Sequence, residues 1–85
     1  MVEWKVVSVT QRGDLILDVS FAGGLTGAVR FLPSALSGVF EQLRDPAVFR
    51  QVSVEHGAVT WPGDVDLAPD AMYDEIKARG ECVFL

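Results

Sequence analysis

The sequence predicts an α+β fold: an antiparallel three-strand meander, short helical turns, a second β-hairpin, and one C-terminal helix packed on the sheet. Three patterns lead to it. Leu15, Leu17, Val19 and Phe21 recur at every second position with Asp18 and Ser20 turned the other way, the period of a strand buried on one face. His56-Gly57 separates two short alternating apolar runs, as a hairpin requires. Pro69 to Arg79 carries helix start and stop residues in their proper places: proline first, Asp70 in the first turn, Lys77 and Arg79 in the last, Gly80 after it.

The elements follow in chain order. Trp4 to Thr10 is rich in β-branched residues, with Val7 and Val9 on one face and Trp4 and Val6 on the other, so a strand partly covered on both sides is expected. Gln11 to Asp14 supply the turn into the second strand. Ala22-Gly23-Gly24 make the next turn, and Leu25, Val29 and Phe31 share one face of a third strand, with Thr26 and Arg30 opposite, that ends at Pro33. Gly23, Gly24 and Gly27 lack the spacing of a phosphate loop and no lysine follows, so they are turn residues.

Ser34 suits the cap of a single helical turn over Pro33 to Gly38, and Val39, Phe40 and Leu43 are spaced for a turn of helix against the sheet. Asp45 before Pro46 is an N-cap with proline at the first helical position, anchored by Val48 and Phe49. Val52 and Val54, then Val59 and Trp61, form the second hairpin. After it come Trp61 as a core anchor, Pro62-Gly63 as a turn, and Asp66 and Asp70 as groups bracing the helix entry. Met72, Tyr73 and Ile76 give that helix an apolar stripe, while Asp74, Glu75 and Lys77 form its wet side. The tail Glu81 to Leu85 is apolar enough to pack on the sheet or add an edge strand.

Eighty-five residues make one domain, 1–85, able to bury only roughly 60 to 65% of its unfolded surface. The apolar fraction of 49% is high for so small a chain, which fits either a well-filled core or a surface completed by a partner or a second copy. Seven basic against twelve acidic residues leave a net charge of −5, which repels a phosphate backbone and argues against direct nucleic-acid binding. The opening MVEWKVVSVTQRGD has an early acidic residue and no long apolar run, so no signal peptide, no membrane span and a cytoplasmic address are expected.

The chemistry-bearing residues are sparse. Cys82 is the only cysteine, which excludes an intrachain disulfide and suits a small packed side chain. His56 is the only histidine and sits at a hairpin tip, where solvation is its simplest role. Asp64, Asp66 and Asp70 are three carboxylates within seven residues and the candidates for a metal, but their spacing is not that of a calcium loop. The serines lack a nucleophile-elbow context. No catalytic residue, cofactor or metal is expected, and the chain is read as a non-enzyme.

The run VFEQLRDPAVFRQVSVEHGAVTWPGDVDLAPDAMYDEI resembles the bacterial domain-of-unknown-function family 2442. Phe40, Leu43, Asp45, Pro46, Phe49, Val52, Trp61, Pro62, Asp66, Leu67, Pro69, Asp70 and Tyr73 fall where that family's pattern places them. The chain departs from it at Gly63-Asp64-Val65, where the pattern has Asn-Gly-Ala, and at Ala68, where it often has Asp. The resemblance implies a small α+β domain with no established catalytic activity. Some members are fused to a helix-turn-helix segment, which this sequence does not contain, and many look like the partner half of a two-gene, toxin-antitoxin-like pair.

Together these readings point to a non-catalytic protein-binding module, with a protein partner or a homo-oligomer and no membrane. Two alternatives stand beside it. One is a regulatory DNA-associated protein acting within a complex, with Arg12, Arg30, Arg44 and Arg50 as its only basic patch. The other is a small-molecule or metal-binding domain using the Asp64 to Asp70 loop.

Overall fold

Strand pairing follows the sequence alternation. In the computed structural model, which describes residues 3–85, β1 (Val6–Gly13), β2 (Ile16–Phe21) and β3 (Thr26–Phe31) form the antiparallel meander. A 3-10 turn at Pro33–Ala35 and a longer 3-10 segment at Gly38–Arg44 lead into the short helix α1 (Pro46–Phe49). The second hairpin, β4 (Ser53–Glu55) with β5 (Ala58–Trp61), gains a third strand, β6 (Val65–Asp66). Helix α2 (Pro69–Arg79) follows, and β7 (Glu81–Phe84) then pairs with β3 in parallel. The sheets have the orders β1-β2-β3-β7 and β4-β5-β6. Met1 and Val2, at the start of the segment weighed as a signal peptide and of the expected domain 1–85, lie outside the described residues.

One core joins the layers. Leu17, Val19 and Phe21 from β2, Val29 and Phe31 from β3 and Cys82 from β7 face Met72 and Ile76 of α2 and Val59 and Trp61 of β5. Phe31 is the hinge of the aromatic packing, edge-on to Phe49 at 5.9 Å and Trp61 at 6.0 Å and stacked on Phe84 at 4.9 Å. Gly27 lets α2 approach, since a Cβ there would stand 2.5 Å from Ile76 Cγ2 and 3.2 Å from the Gly80 carbonyl oxygen. Helix α2 stops as its sequence dictates: Gly80 takes a left-handed φ of 84° and its N–H returns to Ile76 O at 2.7 Å.

The structure departs from the sequence expectations at several points. Strand β1 is not covered on both faces. A bulge between Val6 and Ser8 resets its phase, so Val6 is buried, Val9 packs on the core from the same side, and Val7 is 59% exposed. The first turn is Asp14-Leu15, not Gln11 to Asp14, and Leu15 belongs to that turn with φ 58°, unusual for a bulky side chain. Leu32 rather than Ser34 occupies the cap of the first 3-10 turn, without a side-chain bond. Val39 points outward at 75% exposure, while Leu43 is buried and Phe40 half-buried. The tighter 3-10 winding brings every third residue to one side, and Leu43 is the third residue after Phe40. Asp45 caps α1 as expected, its Oδ1 accepting from Ala47 N at 2.9 Å.

Candidate functional site

The corner built by the longer 3-10 segment and α1 is locked onto the Trp61 turn by two side-chain bonds. Trp61, 2% exposed, donates from Nε1 to the Phe49 carbonyl at 2.9 Å. Gln42 Nε2 donates to Pro62 O at 2.7 Å, holding the turn in which Gly63 has φ 92°. Leu67 N closes the far side on Val59 O at 2.9 Å. These bonds unite the two halves of the family signature into one structural corner. Tyr73 packs its ring edge-on to Phe21 at 5.2 Å.

Against this corner lies the β1–β2 turn, and between them opens a concavity of about 250 Å³. Its apolar wall comes from Leu15, Pro33, Leu36, Leu43, Pro46 and Phe49, and its rim from Gln11, Asp14 and Arg44. The strained turn makes one side of it: Leu15 aims its carbonyl at Phe31 N, 3.0 Å away, and contributes its half-buried side chain to the wall. Arg44 stays exposed and reaches Pro33 O from Nη2 at 3.4 Å. The groove therefore offers an apolar floor with one carboxylate and one guanidinium at its mouth. An inserted Leu- or Phe-sized side chain would gain roughly 1.5 to 3 kcal/mol from leaving water. No histidine, cysteine, serine or threonine is among these lining residues.

Of the groove residues, the sequence singled out Leu43, Pro46 and Phe49 as signature positions. Gln11 and Asp14 were expected only as turn residues, Leu15 as a strand residue and Leu36 not at all. The pointer available in the sequence was the Leu43-Arg44-Asp45-Pro46 run, whose exposed Arg44 has no role in the core.

The candidate metal loop is arranged differently. Among the described residues no group of three or more His, Cys, Asp or Glu side chains stands close enough to hold a metal ion, so Asp64, Asp66 and Asp70 are not brought together as a site. Asp64 sits in the turn with φ 62°, and Asp66 is an exposed residue of β6. Asp66 does not cap α2, whose N-cap is Ala68 without a side-chain bond. Asp70 serves the helix start as expected, its Oδ1 accepting from Ala71 N at 2.9 Å. His56 is exposed at the hairpin tip, with φ 52° beside Gly57 at φ 78°.

Of the four arginines expected to make any basic patch, Arg12 is paired with Asp18 and Arg30 with Glu81. Arg44 is at the groove and Arg50 ends α1. Cys82 is buried beneath α2, and burial, with the charge of Glu75 adding to it, pushes its thiol above the ordinary range. No helix among the described residues is long and apolar enough to cross a membrane.

Among known families, the model described as "Protein of unknown function (DUF2442)" matches residues 6–78. Comparison with curated proteins and with solved structures yields no match.

Proposed function

The chain belongs to this DUF2442 family of proteins of unknown function, and from that premise we propose that it is a non-catalytic protein-binding module of the bacterial cytoplasm, the antitoxin-like half of a two-gene pair. The observation that carries the reading is the groove. It places an apolar wall of Leu15, Leu36, Leu43 and Phe49 behind a rim of opposite charges, Asp14 and Arg44. That combination suits a segment of a partner polypeptide that inserts an apolar side chain and flanks it with a basic and an acidic residue. The chain's high apolar fraction supports the same reading, whereas the net charge of −5 and the pairing of Arg12 and Arg30 with carboxylates weigh against a DNA surface.

The test compares the wild-type chain with Asp14→Lys and Arg44→Glu, both exposed rim changes that leave the core intact, and with Asp70→Ala as a control in the aspartate loop. A protein retained by the wild type and by Asp70→Ala but lost from both rim variants is the expected result. A partner held equally by all four chains, or no protein retained, would overturn the proposal.

A further inference from the structure

We infer that Leu15 sets which apolar side chain the groove accepts, and that leucine stands at this strained turn position for the groove rather than for the fold. The inference rests on the groove reading proposed above and names the residue that gives that site its selectivity.

The backbone at position 15 is unfavourable for the residue it carries. Among the described residues, positive φ values fall on Gly24, Gly38, Gly57, Gly63 and Gly80, on the polar residues His56 and Asp64, and on Leu15 at 58°. Leu15 is the one apolar side chain among them. Left-handed backbone crowds Cβ against the following carbonyl oxygen, a clash that glycine escapes and asparagine tolerates. Tight turns accordingly draw on those two residues where φ is positive. The glycine of this turn region is Gly13, which has open space around it and no positive φ.

The fold uses the backbone of Leu15. Its carbonyl accepts from Phe31 N at 3.0 Å, a bond that any residue at this position supplies. Its side chain is only half-buried, whereas Leu17, the next residue of the same alternation, is fully buried. Strain retained where a freer residue would make the same backbone bond is characteristic of positions whose side chain serves a ligand.

That side chain is placed to select. Leu36, Leu43 and Phe49 are held by the core and form the fixed floor of the groove. From the β1–β2 side the lining residues are Gln11, Asp14 and Leu15, of which Leu15 alone is apolar. The width of the concavity is therefore the width that the Leu15 isobutyl group leaves. Shortening the side chain at 15 widens the groove without touching its floor, so the preferred occupant shifts toward a larger apolar side chain.

Chemical-shift titration of the isotope-labelled full chain with capped Lys-Xaa-Glu and Glu-Xaa-Lys peptides, Xaa being alanine, leucine or tryptophan, tests the assignment, with thermal melts of the same proteins alongside. The wild type is expected to bind the leucine peptide about tenfold more tightly than the alanine peptide, and Leu15→Gly to raise the ratio of tryptophan to leucine affinity about tenfold. Leu15→Gly and Leu15→Asn are both expected to melt at or above the wild-type temperature. Melting below the wild type in both variants would show that the side chain is held for the fold and overturn the assignment. An unchanged affinity ratio in Leu15→Gly, with the wild type binding, would overturn it while leaving the groove reading in place. A wild type that binds none of the peptides would overturn the groove reading and this assignment with it.

Discussion

Replacing Trp61 with phenylalanine tests the corner on which the signature residues converge. The indole is 2% exposed, its Nε1 holds the Phe49 carbonyl at 2.9 Å, and its ring lies 5.8 Å from Phe49 and 6.0 Å from Phe31. Phenylalanine keeps an aromatic ring but strands a buried carbonyl, at about 1 to 3 kcal/mol. The missing part of the indole leaves a small cavity that adds on the order of 1 kcal/mol. Together these reach about 3 kcal/mol, a large share of the roughly 4 to 13 kcal/mol that a chain of this length has to lose. The assay is urea unfolding followed by far-ultraviolet circular dichroism. The expected result is a lower midpoint with an unchanged slope, and a melting temperature reduced by roughly 12 to 24 °C. A loss under about 1 kcal/mol would refute the reasoning, because the indole would then not be what ties α1 to β5.

Three further outcomes follow from the same geometry. Gly27→Ala should cost about 1 to 3 kcal/mol by forcing its Cβ against Ile76, and the double change with Ile76→Ala should lose less than the sum of the two in thermal melts. Ala68→Asp should stabilise α2 by about 0.5 to 1 kcal/mol, because the N-cap has no side-chain acceptor for the helix's first amides; calorimetry should show a higher melting temperature. For Cys82, whose folded thiol titrates above the unfolded one, the stability from keeping it neutral is complete below about pH 8.5 and is lost as pH rises through the folded value. Denaturation midpoints measured across alkaline pH should therefore fall less steeply in Cys82→Ala than in the wild type.

What the sequence made legible is what local patterning controls. The alternation of Leu17, Val19 and Phe21 in β2, the His56-Gly57 turn, the Asp45 cap of α1 and the Gly80 stop of α2 each depend on residues adjacent in the chain, and each stands where it was expected. The bulge in β1 was hidden because Val6 and Val7 are chemically alike, and only pairing with β2 decides which of them turns inward. Leu15 was hidden for a similar reason. Its place in the Leu15, Leu17, Val19, Phe21 alternation favours a strand, and the positive φ it accepts in the turn is settled by register and by the bond from Phe31 N. Strand β6 is only two residues long, too short to show a period.

The groove was least legible, since it joins residues near 11–15 to residues near 33–49, and no spacing along the chain announces that meeting. The aspartates give the converse lesson. Their closeness in sequence suggested a site, yet a turn, a strand and a helix carry them apart, leaving Asp70 to serve the helix start and Asp64 to occupy a turn.

The most direct test of the binding-module account is photo-crosslinking in living cells of the source organism, with a photoreactive residue placed at position 14 on the groove rim or at position 70 in the aspartate loop. The account predicts one adduct of defined mass from position 14, abolished by Arg44→Glu, and none from position 70. Adducts from position 70 alone, or none from position 14, would contradict it.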